Sequence, residues 1–317
     1  MRPALAAVAT ALSLLAAPGF AAEEAMQLET PTGAVHGTLL RPDDAPRPLV
    51  ALIVAGSGPT DRDGNNPMAG RNDSLKRLAQ ALADAGIASL RYDKRGIAAS
   101  AAAGSDESAL RFDDYVDDAA AWATRLAQDG RFVAVAIVGH SEGATIAALT
   151  AAKAPVAGVV SIAGPGEPAA ATLRRQLAGR LPPELAERNE ALLTALEAGR
   201  LVGEVPPALA ALYRPSVQPY LISWFRQRPA AAVAALRAPC LIVQGDTDLQ
   251  VSLADAQALQ AAQPACRLVR VAGMNHVLKA VPADRPQQLA SYADPALPLA
   301  PGLAEALIPF LKGLAGP

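Results

Sequence analysis

Two patterns of apolar residues alternate along the chain: short continuous runs, and stretches spaced for one face of a helix. Residues 49–54, 87–92, 133–138 and 156–162 are runs rich in Val, Ile, Leu and Ala with few polar interruptions. Such runs suit strands covered on both faces, as in a parallel sheet. Between them, 75–85, 112–128 and 143–154 read as helices. The first follows candidate N-caps at Asn72, Asp73 and Ser74 and is stopped by Gly86. Residues 240–243 and 267–271 repeat the strand pattern around a helix at 252–262, and 303–311 closes the chain as a helix. This alternation predicts an α/β domain with a mostly parallel sheet and helices on both faces. Ahead of it, 26–30 and 35–40 read as an opening hairpin around a Pro-Thr-Gly turn.

One stretch breaks the rhythm. From 166 to 236 helical patterns are punctuated by Pro182, Pro183, Pro206, Pro207, Pro215 and Pro219, and no strand stands out. A helical lid inserted over 166–236 would divide the core into 23–165 and 237–317. The insertion carries Tyr213, Tyr220, Trp224 and Phe225 in a chain with only 4% aromatic residues. These four are assigned to substrate binding, shaping a pocket under the lid. The plainer assignment is that they hold the insertion together. The insertion has no broad apolar stripe and is cut by Arg174, Arg175, Arg214, Arg226 and Arg228, which argues against a face that docks on lipid.

Composition narrows the function. Apolar residues make up 51% and charged residues 18%, enough for a large buried core and too apolar for disorder. The net charge of −2 offers no basic surplus for nucleic acid or an anionic membrane. Residues 1–22 differ from the rest: Arg2 supplies a positive charge, 4–17 are almost wholly apolar, and Gly19 and Ala21 stand where a signal peptidase reads small residues. This predicts a secretory signal and an exported protein, periplasmic or secreted. The run is shorter than the roughly 20 residues a membrane span needs, so a stable anchor is not expected. Cys240 and Cys266 both stand at predicted strand starts; two buried free thiols are favoured over a disulfide, though export permits one. No metal or cofactor is expected, because no phosphate-binding glycine loop or spaced ligand cluster is present.

The strongest chemical signal is Gly139-His140-Ser141-Glu142-Gly143. Gly-x-Ser-x-Gly alone is common, but here an apolar strand enters it directly and a helical pattern leaves it directly. That context is the strand–turn–helix of a nucleophile elbow, with Ser141 on a strained turn that lifts its hydroxyl clear of the sheet. A serine hydroxyl needs a base to take its proton. Of the three histidines, His36 lies in the opening hairpin and His140 inside the elbow, which leaves His276, on a loop after a strand. The third member should be a carboxylate between these two. Gln244-Gly-Asp-Thr-Asp248 follows a strand and offers Asp246 and Asp248. The order serine, acid, histidine is that of the α/β-hydrolases. An oxyanion hole would then use the N–H of Glu142, at the positive end of its helix, and one from the glycine loop after the strand at 49–54. Ser57 is chosen there, with Gly58 the alternative.

The elbow, the loop 56–65 (Gly-Ser-Gly-Pro-Thr-Asp-Arg-Asp-Gly-Asn), Tyr92-Asp-Lys-Arg-Gly96 and Gln218-Pro-Tyr-Leu-Ile-Ser-Trp224 resemble the bacterial EstD-like esterases, as does the run 244–248. Those proteins belong to the α/β-hydrolases near the prolyl-oligopeptidase type. In that class the acid usually sits three residues after the glycine, which picks Asp248 and leaves Asp246 to cap the turn. The resemblance covers nearly all of the chain after residue 22 and implies a carboxylesterase acting on small-molecule esters with short acyl chains. A departure is Gly96-Ile-Ala-Ala-Ser100, where a second glycine is frequent in the group. Two rivals remain: a serine peptidase or amidase on the same triad, and a non-catalytic binding protein on a hydrolase scaffold. The charged residues Asp61, Arg62, Asp63, Asp93, Lys94 and Arg95 are expected to pair with each other and brace the glycine loop.

Overall fold

The computed structural model of the protein describes residues 22–316. The predicted signal at 1–22 therefore lies outside the described residues, Ala22 excepted. In chain order the strands are β1 (Ala22–Thr30), β2 (Gly33–Arg41), β3 (Val50–Val54), β4 (Ala88–Tyr92), β5 (Val135–His140), β6 (Gly158–Ile162), β7 (Cys240–Gly245) and β8 (Arg267–Val271). The helices are α1 (Ser74–Asp84), α2 (Phe112–Gln128), α3 (Glu142–Thr150), α4 (Ala169–Leu177), α5 (Pro183–Glu197), α6 (Ala210–Tyr213), α7 (Gln218–Phe225), α8 (Pro229–Ala234), α9 (Leu253–Ala262), α10 (Arg285–Ser291) and α11 (Pro301–Leu314).

One eight-stranded sheet runs in the order β1-β2-β4-β3-β5-β6-β7-β8. β1, β2 and β4 pair antiparallel and every later pair is parallel. The fold is that of an α/β-hydrolase. β3 to β7 are buried along their whole length, which is why they read as unbroken apolar runs rather than as alternation. Successive side chains nonetheless point to opposite faces. Val50, Leu52 and Val54 pack with α2 and α3 on one face, and Ala51 and Ile53 with α1 and α11 on the other. From β3 the chain reaches β4 on one side and β5 on the other. Such a reversal opens a crevice at the carboxyl ends of the strands, where loops from different strands converge.

The differences from the sequence expectation fall mostly at boundaries. β5 starts at Val135 rather than 133 and continues through Gly139 and His140, because these pair in register with Ser161 and Ile162 of β6. α3 ends at Thr150 rather than 154, and α1 starts at Ser74, whose N–H is taken by the Asn72 side chain. Residues 166–236 carry α4 to α8 and short 3-10 turns. The two cysteines are a correction: Cys240 and Cys266 form a disulfide, with Cα atoms 4.7 Å apart. The parallel register of Leu241 with Arg267 sets the residues just before them side by side. Each cysteine was legible as a strand start, but the adjacency of the two strands was not.

Candidate active site

The elbow glycines are required by close approach. A Cβ on Gly139 would overlap the Gly143 carbonyl, and one on Gly143 would overlap the Val54 carbonyl and lie 2.8 Å from that of Ala55. With both present, Ser141 takes the positive-φ conformation its turn demands (φ 55°, ψ −121°) at the head of α3. Its N–H donates to the Ile162 carbonyl at 2.9 Å. Among the described residues its hydroxyl makes no hydrogen bond, and the side chain is half-buried.

His276 stands on the loop after β8, and its Nδ1 lies 2.8 Å from Asp248 Oδ2. The Asp248 side chain is fully enclosed, and its other oxygen accepts the N–H groups of Gln250 (2.7 Å) and Val251 (3.0 Å). Burial pushes this carboxyl up, but His276 and the two backbone donors outweigh it and hold the group below the usual carboxylate range. The structure does not bring Asp246 to the imidazole. That carboxylate pairs with Arg270 at 2.8 Å and takes the Gly273 N–H at 2.7 Å, bracing the turn from outside. Gly245 lets the two loops meet, since a Cβ there would overlap the Met274 carbonyl.

His140 proves to be part of the same assembly. Its Nε2–H donates to the His276 carbonyl at 2.8 Å, and the two rings lie 4.9 Å apart. Burial, and next the charge of His276, lower its pKa to about 3, so the ring is neutral. The sequence did hold a signal for this: a polar residue ending an otherwise apolar, fully buried strand needs a buried partner.

Gly56 approaches the elbow closely, since a Cβ there would stand 3.2 Å from Ser141 Cβ and 3.4 Å from His140 Nδ1. This puts the peptide leading into Ser57 beside Ser141. Glu142 opens α3, and its buried carboxylate takes Lys94 Nζ at 2.7 Å and the Tyr220 hydroxyl at 2.5 Å. Lys94 Nζ also donates to the Gly56 carbonyl at 2.7 Å. The charged loops pair with each other only in part. Arg62 and Asp93 do so at 2.7 Å, whereas Lys94 reaches α3 and Arg95 reaches Asp118 of α2 at 2.5 Å.

The four aromatics assigned to substrate binding make extensive packing contacts of their own. Tyr213 is fully enclosed and its hydroxyl donates to Asn189 at 2.7 Å, and Phe225 is buried in the same cluster. Trp224 stacks on Phe112 of α2, with centroids 6.4 Å apart and planes within 4°. Tyr220 packs on Tyr115 at 5.5 Å and spends its hydroxyl on Glu142. Tyr220 and Trp224 dock the insertion on α2 and α3, and Tyr213 holds the insertion together from within.

Among the described residues no group of three or more acidic, His or Cys side chains is arranged to hold a metal ion, and no helix is long and apolar enough to cross a membrane. The family profile described as serine aminopeptidase, S33, matches residues 68–279. The chain is 32% identical to Esterase EstD of Thermotoga maritima over 211 residues, 66% of this chain and 48% of the relative. The match thus spans about half the length of that curated relative. Two solved structures share the fold. Est1E from Butyrivibrio proteoclasticus, in a complex with ferulic acid, gives a TM-score of 0.62 at 17% identity, covering 92% of this chain and 100% of that one. The esterase domain of a Rhodothermus marinus protein gives 0.57 at 20% identity, covering 93% and 100%.

Proposed function

The chain belongs to the serine aminopeptidase S33 family of α/β-hydrolases, and from that premise we propose that it is an exported serine carboxylesterase for short-chain acyl esters. The observation that carries this reading is the hydrogen bond between Asp248 and His276, at the same end of the sheet as an elbow that holds Ser141. Ser141 Oγ attacks the ester carbonyl while His276 takes its proton. The N–H groups of Ser57 and Glu142 hold the oxyanion, and Asp248 fixes the imidazole with Nδ1–H toward itself. His276 then returns the proton to the leaving alcohol, and water hydrolyses the acyl-enzyme.

The family description favours a second reading, an aminopeptidase on the same triad. An aminopeptidase must hold the substrate's α-ammonium, which calls for a free carboxylate near the nucleophile. The buried carboxylate next to Ser141 in the chain, Glu142, is already neutralised by Lys94. This supports an uncharged ester over a peptide amine. Export is supported by the apolar run within 1–22 and by the disulfide, which suits an oxidising compartment. A short acyl chain is supported by the insertion's inward-packed aromatics, which leave it no broad apolar face.

The test is a panel of p-nitrophenyl esters of increasing acyl length beside aminoacyl p-nitroanilides. The expected kcat/KM rises over the first few carbons, by at most about 0.8 kcal/mol per buried methylene, and then falls. Ser141→Ala should lose about six orders of magnitude in kcat while staying folded. Faster cleavage of the anilides would make it an aminopeptidase. A steady rise to long chains with activation at an oil–water interface would make it a lipase. Failure of a fluorophosphonate probe to label Ser141 would leave a binding protein.

A further inference from the structure

The ammonium of Lys94 is buried, as is the carboxylate of Glu142 that it pairs with. Taking two charges out of water is unfavourable, and a buried pair seldom repays it in stability. What this pair gains is connection. Lys94 follows β4, Gly56 follows β3 and Glu142 heads α3 after β5, three neighbouring strands of the sheet. One nitrogen bonds to both of the others, at 2.7 Å each, and sits 4.8 Å from the centre of the Tyr115 ring.

The carbonyl that Lys94 holds belongs to the peptide joining Gly56 to Ser57. A trans peptide is planar, with its C=O and N–H pointing opposite ways, so fixing the oxygen aims the N–H. Glycine at 56 leaves this peptide otherwise free to rotate, and a rotated peptide would turn a carbonyl toward the developing oxyanion in place of a donor. The second bond of the same ammonium holds Glu142, whose own N–H is the other donor. We propose that Lys94 is a positioning residue: it aligns the two halves of the oxyanion hole with one buried cation, and Tyr220 ties the helical insertion to the same carboxylate. The proposal rests on the reading of Ser57 and Glu142 as oxyanion donors. It also makes α7 part of the catalytic frame rather than a cover that swings away.

The experiment pairs Lys94→Met with Glu142→Gln in one chain, so that neither charge is left buried alone and the Gly56 carbonyl loses its donor. Folding is checked by circular dichroism, and the full-length protein is assayed on its best p-nitrophenyl ester. The expected result is a loss of about 100-fold in kcat with KM within about threefold, the size of losing one oxyanion donor. The affinity for a trifluoromethyl ketone, which forms an oxyanion on the nucleophile, should fall in parallel. Lys94→Gln alone is the second variant: it keeps a donor for Glu142 but is too short to reach both partners, and the same split is expected. A folded variant with kcat within threefold of the parent overturns the proposal. So does a loss of kcat with ketone affinity unchanged, which a purely structural role would give. Ser141→Ala separates the levels. If it retains activity, the triad reading fails and this proposal with it; if it is dead while the Lys94 variants are unimpaired, only the role of Lys94 fails.

Discussion

The part of the site that precedes the insertion and the part that follows it are held together by opposite means. Before it, the Gly56 loop, Lys94 and the head of α3 meet through a buried ion pair that also captures Tyr220 of the insertion. After it, β7 and β8 carry Asp248 and His276 and are joined by a covalent bridge between Cys240 and Cys266, at the strand ends away from the chemistry. The first part relies on long-range charge contacts because the Gly56 loop, Lys94 and the head of α3 come from separate segments of the chain. The second needs only two neighbouring strands in register, since Asp248 and His276 bond directly to each other. His140 crosses between them, standing in the elbow and holding the His276 carbonyl.

The contrast between the two aspartates gives the largest effect. Asp248→Asn should leave the protein folded and cost on the order of 10⁴ in kcat, because the amide favours the wrong imidazole tautomer. Asp246→Asn should cost less than tenfold in kcat and act through stability, since that carboxylate braces Arg270 and Gly273. Steady-state kinetics on the two variants checks this, and the reverse ranking would move the acid to Asp246.

The disulfide should matter to stability alone. Its bridge spans 26 positions, for which loop-closure entropy gives about 3.5 kcal/mol. Cys240→Ser with Cys266→Ser should lower the urea midpoint accordingly while kcat at 25 °C stays within about twofold. A large loss of kcat would show that the clamp reaches the Asp248 and His276 loops.

A smaller effect is expected from His140. Its folded pKa of about 3 lies below the ordinary histidine value of about 6.5. The unfolded chain therefore binds the extra proton between these two values. The stabilisation is fully present above about pH 6.5 and is lost progressively as pH falls toward 3. At pH 4.5 this amounts to roughly 2–3 kcal/mol relative to pH 7.5. Urea titrations at both pH values should show the drop, and His140→Gln should flatten it. An equal drop in the variant would assign the acid sensitivity elsewhere.

The sheet was legible because its strands are buried on both faces and so read as unbroken runs, such as 49–54. The elbow was legible because its two glycines are imposed by backbone contacts within a few residues of Ser141 and from β3. What escaped the sequence depends on which strands lie side by side. Lys94 meets Gly56 and Glu142 because β3 is flanked by β4 and β5, an order no local pattern encodes. Cys240 meets Cys266 for the same kind of reason. Aromatic content alone does not say which way a ring faces, and here Tyr213 and Phe225 turn inward.

In the proposed reaction Ser141 carries the acyl group. The direct measurement is mass spectrometry of the protein quenched in acid moments after mixing with p-nitrophenyl acetate, with the modified peptide sequenced. An acetyl adduct is expected on Ser141, accumulating further in Asp248→Asn if deacylation is slowed more than acylation, and absent in Ser141→Ala. An acetyl group on another residue that tracks turnover, or turnover in Ser141→Ala, would contradict it.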